Sequence, residues 1–445
     1  MRMDTAGRGR GARREPSSSR PVASRARYFG AAGVDVRTQA PLDVPPLDAA
    51  AASARGRGAS TPSPPLPLAA GMRDPLAARL RAWRHPGAPD YALLLGVVCL
   101  LLLGLVMVFS ASQLAVPGDP SYWFRRQLVW ALLGLVALVV TSRVDYHVWR
   151  RWAWPGLAAA VALLALVLVA GRSAYGAQRW LHLYFFSIQP SELAKLALVV
   201  ALARLLASAG PRVRTPWRGL LSFCGVVGCV LALVLLQNDM GTSLVIAALA
   251  LAMLFAAGAS ILQVGGLAAV GAAAYLAIVA ATPFRRARLD AFLHPLPPDC
   301  NGAYQVCQGL ISLGSGGIFG RGLGDSVQKA GYLPNPFTDS IFAVVGEELG
   351  LMGCLLLIGL FAFLAYRGLR VSRAAPDSFG ALLACGITWW IAAQVAINIG
   401  SVVNAIPFTG VPLPFVSFGG SSLVTALAAV GIVLNVSRHR ERAAA

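Results

Sequence analysis

An all-α polytopic membrane protein of about ten transmembrane helices, with a large extracytoplasmic loop between the seventh and eighth, is the fold class this sequence predicts. Three observations carry that expectation. Hydrophobic residues fill 57% of the 445 positions and charged residues 13%, and the mean hydropathy is +0.65. The apolar residues gather into runs of roughly 17–25, enough to cross ~30 Å of hydrocarbon as helices. Arginine crowds the N-terminal region, the short connections and the C-terminal end. A set of soluble domains is excluded, and so is a barrel, whose strands would be shorter and alternate in polarity.

Residues 1–88 are rich in Arg, Ala, Pro, Ser and Gly and lack a sustained apolar period. Such a segment buries too little surface to offset the entropy of ordering, so a disordered, basic, cytoplasmic extension is expected. No apolar core follows the early arginines, which argues against a secretory signal. The composition faintly resembles an organelle transit peptide, and Met72 is a credible alternative start. A short basic amphipathic stretch, Leu76 to Trp83, suits a membrane surface. The spans of a transmembrane domain at 89–437 fall near 91–111, 127–141, 152–170, 191–207, 218–236, 242–258, 261–281, 340–366, 379–401 and 419–436. The second is short and has a possible start as early as Trp123. Residues 438–445 form a short basic tail.

Loop arginines set the expected orientation. Arg143, Arg150 and Arg151 follow the second span, Arg212, Arg214 and Arg218 the fourth, and Arg367, Arg370 and Arg373 the eighth. Arg438, Arg440 and Arg442 end the chain. Both termini are then cytoplasmic by the positive-inside rule. Arg285, Arg286 and Arg288 break the rule on the outer side, inside the long loop 282–339, and are candidates for binding an anion. The net charge of +19 thus belongs to membrane orientation and anionic lipid, and no nucleic-acid partner is expected. Five cysteines sit in apolar runs as small hydrophobes. Cys300 and Cys307 share the outer loop, where a disulfide and two free thiols are both compatible with the sequence.

The stretch from Gly322 to Gly350 is the densest in chemistry. It holds Asp325, Gln328, Lys329, Asp339, Glu347 and Glu348 in an otherwise apolar chain, and Lys329 and Lys195 are the only lysines. Carboxylates at a membrane edge are costly and mark a functional site by default. Thr338 or Asp339 would cap the eighth span in the plainer reading, but that leaves Glu347 and Glu348 unexplained. Adjacent helical positions point about 100° apart, so the two glutamates do not share a face, and at least one should meet a polar interior or a cation. Before the fourth span, Arg179 and Trp180 offer a planar fork for phosphate and a flat face for sugar or lipid. Glu192 complements the positive helix end, and Lys195 one turn on makes an i, i+3 pair the natural alternative to a substrate role. Asp239 in QNDMGT reads as turn and cap chemistry. Asn398 is a weaker candidate, and Ser421 in PLPFVSFGGSS could cap the last span. No metal-ligand spacing or nucleotide-binding loop is present.

Together these segments, from about residue 90 to 437, resemble the SEDS family (shape, elongation, division and sporulation proteins), and GLGDSVQK with the later GEEL is more similar to its division-type than to its elongation-type members. The resemblance implies ten transmembrane helices, glycosyl transfer from lipid II in septal peptidoglycan synthesis, and release of undecaprenyl pyrophosphate. It places the family's catalytic aspartate, in T-D-F-I-F, on Asp339, its functional tryptophan on Trp180 and its basic residue after Q-P-S-E on Lys195. Arg179, Glu192, Gln328, Lys329, Glu347, Glu348 and Ser421 complete the expected substrate-binding set. It further implies the bacterial inner membrane at the septum, with a class B penicillin-binding protein and other divisome proteins as partners. No cofactor is certain, though a divalent cation such as Mg or Mn suits a pyrophosphate leaving group. Three positions depart from the family's pattern: Phe337 stands for histidine, Asn238 for proline and Phe418 for tyrosine. A lipid II flippase, or a structural scaffold of the division machinery, is the alternative from another class.

Overall fold

A computed structural model describes residues 87–439 other than 175–176, 184–185, 216–218, 297–299 and 301–302. The extension before Gly87, with Met72 and the amphipathic stretch, lies outside the described residues, as do Arg218, Arg440 and Arg442. Ten long helices stand where the apolar runs predict them. They are α1 (Tyr91–Ser112), α2 (Tyr122–Arg143), α3 (Tyr146–Ala170), α4 (Pro190–Ala209), α5 (Leu221–Leu236), α6 (Met240–Ala256) and α7 (Ile261–Ala281), then, after the long loop, α10 (Ile341–Arg373), α11 (Ser378–Val402) and α12 (Gly420–Arg438). Seven of them are long and apolar enough by themselves to span a membrane. α5 and α6 are apolar but shorter, and α4 carries Glu192, Lys195 and Arg204.

Two connections are more structured than expected. The long loop contains α8 (Pro283–Leu293) and α9 (Tyr304–Ser315). Pro283 fits the first turn of α8, where its missing N–H costs nothing, and Cys300 is bonded to Cys307 on α9. The loop at 171–190 forms an antiparallel sheet in the order β1 (Arg172–Ala174), β2 (Ala177–Leu183), β3 (Phe186–Ile188). Apolar-run counting detects spans and is blind to both, because short amphipathic helices and three-residue strands carry no membrane-length signal.

Burial ranks the helices. In an apolar 18-residue stretch of α12, 83% of the residues are buried, against 6% in the corresponding stretch of α7. α12 packs along α2 through small residues that let the backbones approach. A Cβ on Gly431 would stand 2.0 Å from Thr141 Oγ1, and that hydroxyl donates across the interface to Ala428 O at 2.9 Å. α1 and α10 run antiparallel with a charged clasp at each end. Arg367 Nη2 donates to both oxygens of Asp90 at 2.6 and 2.7 Å. At the other end Ser110 Oγ donates to Glu348 at 2.6 Å. The clasps are 20 residues apart on α1, or ~30 Å of rise, which matches the hydrocarbon thickness.

α10 is broken inside the membrane end. Gly350 has φ 66° and ψ −165°, so the carbonyls of Glu347 and Glu348 lose their helical donors. The Gly316–Gly322 segment inserts at the break: Arg321 N and Gly322 N donate to those carbonyls at 3.0 Å each, while Leu351 N and Met352 N donate to Gly317 O and Ile318 O at 3.0 and 3.1 Å. Four backbone bonds are thereby remade. A Cβ at Gly350 would lie 2.3 Å from Gly320 N, at a φ that disfavours any side chain. Gly350→Ala is therefore expected to cost on the order of 1–3 kcal/mol, read as a lowered melting temperature in detergent; an unchanged melt would show that the junction relaxes freely.

Candidate active site

Asp339 sits just before α10. The helix cap is Ser340, whose side chain makes no capping bond, so the capping role that sequence allowed for Thr338 or Asp339 is not what holds this carboxylate. Instead Oδ1 accepts from Thr338 Oγ1 at 3.0 Å, and Oδ2 lies 3.5 Å from Gln305 Nε2 on α9. Its backbone carbonyl accepts from Asn398 Nδ2 at 2.9 Å, and the same amide donates to Val411 O at 2.7 Å. Asp339 is half-buried. Burial pushes its carboxyl above the ordinary value, outweighing the Thr338, backbone and Gln305 hydrogen bonds and the Arg288 charge.

The α5–α6 turn contributes to the same end of the bundle. Asp239 caps α6 by accepting from Thr242 N at 3.2 Å, as turn chemistry predicts, and also accepts from Gln189 Nε2 at 3.3 Å. Arg179 on β2 places Nη1 3.7 Å from Asp239 Oδ1 and donates from Nη2 to Asn238 O. Trp180 is half-buried beside it, opposite Arg172 in the sheet register. Ser421 does not cap α12, whose cap is Gly419; its hydroxyl lies 3.3 Å from Gln189 N, so Gln189 ties β3 to both the turn and α12.

Both lysines are enclosed. Lys195 Nζ lies 2.8 Å from Glu192 Oε1 and 2.7 Å from Gln394 Oε1, 5.2 Å from the Trp390 ring centre. Lys195 is 0% exposed and Glu192 1%, so the ammonium is held wholly by internal partners, as the i, i+3 reading expects. Lys329 Nζ reaches Glu348 Oε1 at 2.9 Å, Gly324 O at 2.7 Å and Ser110 Oγ at 3.2 Å. Glu347 points elsewhere, as the 100° step requires, and accepts from Ser326 Oγ at 2.6 Å, Ser312 Oγ at 3.0 Å and Val327 N at 2.9 Å. The two glutamates thus strap the Gly322–Lys329 loop to α10. Gln328 is half-buried on that strap. Sequence reasoning missed Gln305, Trp390 and Gln394, since polar or aromatic residues in or beside apolar runs carry no spacing signal of their own.

Among the described residues no group of three or more His, Cys, Asp and Glu side chains converges as a metal site, and Asp239 is already engaged by Thr242 N, Gln189 and Arg179.

The sequence pattern of the FtsW/RodA/SpoVE family, described as cell cycle proteins, matches residues 91–442. The chain belongs to this family. Among FtsW/RodA/SpoVE relatives it is 42% identical over 353 residues to a probable peptidoglycan glycosyltransferase FtsW of Trichlorobacter lovleyi, covering 78% of this chain and 93% of that one. It is 40% identical to the stage V sporulation protein E of Bacillus subtilis, covering 79% and 98%. Two solved structures are similar throughout: a chain of a peptidoglycan synthase complex that coordinates polymerization and crosslinking, with TM-score 0.67, 30% identity and coverage of 80% and 99%, and RodA of Thermus thermophilus, with TM-score 0.60, 30% identity and coverage of 80% and 98%.

The three departures from the FtsW/RodA/SpoVE pattern acquire physical content. Phe337 and Phe418 touch each other at 5.8 Å and both pack on Trp123, at 5.2 and 5.0 Å between ring centres. Phe418 N also donates to Phe337 O at 2.8 Å, so this aromatic group fixes the backbone two residues before Asp339. Asn238 has φ 58°, which the proline ring forbids and asparagine tolerates.

Proposed function

We propose that this multi-pass membrane protein is a division-type peptidoglycan glycosyltransferase that polymerises lipid II and releases undecaprenyl pyrophosphate. The observation that carries the reading is Asp339: a half-buried carboxylate, free of capping duty, held by Thr338 and Gln305 with Arg288 acting on its charge. Asp339 removes the proton from the acceptor sugar's 4-hydroxyl as that oxygen attacks the donor's anomeric carbon. The bond from that carbon to the diphosphate breaks, and the diphosphate leaves on its polyprenyl chain. Negative charge grows on the leaving group, where preorganised cations stabilise it most. Lys195 and Lys329 are enclosed by their carboxylate partners, whereas Arg179, although it also contacts Asp239, keeps 24% of its side chain exposed and is the cation of the expected set left to meet the leaving group. A divalent cation that serves the reaction would travel on the substrate diphosphate.

The termini and the Arg-rich connections face the cytoplasm in this reading, and Asp339 faces outwards, at the septum, beside a class B penicillin-binding protein and other divisome proteins. The arginine asymmetry of the connections supports that orientation.

A pH profile tests the base. Deprotonated Asp339 is the active form and burial raises its pKa above the ordinary 3.8. Polymerisation (kcat/KM for lipid II) should therefore rise with pH through an inflection above that value. A profile with no acidic limb other than that of denaturation would remove Asp339 as the base.

A further inference from the structure

The outer end of the bundle holds a second guanidinium group outside the expected substrate-binding set. Arg288, on α8, directs Nη1 to Phe408 O at 3.4 Å, and Asn404 Nδ2 donates to Phe292 O at 3.1 Å, so α8 is fastened to the segment after α11. The same segment borders the base: a Cβ on Gly410 would stand 3.5 Å from Asp339 Oδ2. Arg288 and Asp339 therefore flank one short ridge of chain, Phe408 to Gly410. Arg179 reaches the same ridge through the α5–α6 turn that it contacts: a Cβ on Gly241, two residues after Asp239, would stand 2.7 Å from Thr409 O. The Nε of Arg179 is buried without a hydrogen-bond partner, and its contact with Asp239 is long, at 3.7 Å, because Asp239 already serves Thr242 N and Gln189. Burial first, and then the charge of Arg179, disfavour the Arg288 cation; Asp339, Tyr275 and Asp239 favour it.

Two guanidinium groups that border one ridge of chain, one of them with a buried Nε that has no hydrogen-bond partner, describe a site whose complement is a multivalent anion. Planar guanidinium forks suit phosphate oxygens in pairs. We infer that Arg288 and Arg179 together cradle the diphosphate of the polyprenyl-linked substrate, Arg288 on the Asp339 side and Arg179 on the Asp239 side. This rests on the transferase reading above and deepens it. Such a cradle holds the leaving group's charge next to the base that generates the nucleophile, so one site both binds the donor and relieves charge as its bond to the diphosphate breaks. A phospholipid headgroup shares phosphate chemistry but offers one phosphodiester, and the two forks discriminate against it.

The test uses full-length protein in detergent and reads binding without turnover, as the rise in melting temperature on titrating undecaprenyl pyrophosphate, inorganic pyrophosphate or phosphatidylglycerol. Wild type should be stabilised by undecaprenyl pyrophosphate at the lowest concentration, and far more weakly by phosphatidylglycerol. Arg288→Gln should melt like wild type without ligand yet need at least ~10-fold more undecaprenyl pyrophosphate, with a matching rise in KM for lipid II and Arg288→Lys in between. Equal half-saturation for Arg288→Gln and wild type would overturn the cradle, as would equal stabilisation by phosphatidylglycerol. If Arg288→Gln is unstable, the Lys variant carries the comparison, and wild-type affinity in it would equally overturn the assignment. Loss of polymerisation in wild type itself, with Arg288-dependent diphosphate binding intact, would sink the transferase reading while leaving the anion site standing.

Discussion

Asp339→Asn is expected to lower lipid II polymerisation by about 10²–10⁴-fold, the range that a positioned general base contributes, with expression and melting temperature unchanged. Asparagine has nearly the same shape and keeps an oxygen for Thr338 Oγ1, which donates to Oδ1 in the native site. The helix start does not depend on the side chain, because the cap is Ser340. The substitution therefore removes proton acceptance and little else. A purified Asn variant that polymerises within ~2-fold of wild type would show that the proton goes elsewhere.

The second large effect concerns stability. Lys195→Met leaves Glu192 charged and buried, with each partner 1% exposed or less. Breaking a buried pair by removing one member typically costs ~3–5 kcal/mol, to be read as a large loss of melting temperature and of folded yield. Glu192→Gln combined with Lys195→Met should recover much of that loss, since no unpaired charge remains. Lys195→Arg keeps the charge but not the shape, and the space bounded by Glu192, Gln394 and Trp390 fits a compact ammonium better than a wide fork; insertion should persist while activity falls. If Lys195→Met instead melts like wild type and loses lipid II binding, the ammonium meets substrate in another conformation.

The membrane helices were legible in the sequence because spanning length and apolar continuity are dictated by the bilayer, and the sequence placed all ten within a few residues, apart from α2, α3 and α10, whose ends lie further out. α3 begins at Tyr146, earlier than the apolar run, because Asp145 caps it by accepting from His147 N. The α10 break was not legible. It depends on a loop thirty residues upstream meeting Gly350, which a local pattern does not encode. Glu347 and Glu348 announced themselves as expensive charges, but their partners Ser312, Ser326 and Ser110 look like ordinary serines until the fold brings them in. The rarity of lysine pointed to two sites of specific chemistry, and the structure gives each a buried carboxylate. Arg288 was visible only as one of three arginines that break the expected charge rule; that it and Asp339 border the same Phe408–Gly410 ridge appears only in the fold.

Polymerisation of purified lipid II, by the full chain reconstituted in vesicles with a class B penicillin-binding protein, tests the central claim most directly. Glycan strands resolved on a gel from the wild-type protein, and absent with Asp339→Ala at equal incorporation, are the predicted result. Vesicles in which lipid II crosses the bilayer but no strand forms, or strands that form equally with Asp339→Ala, would contradict it.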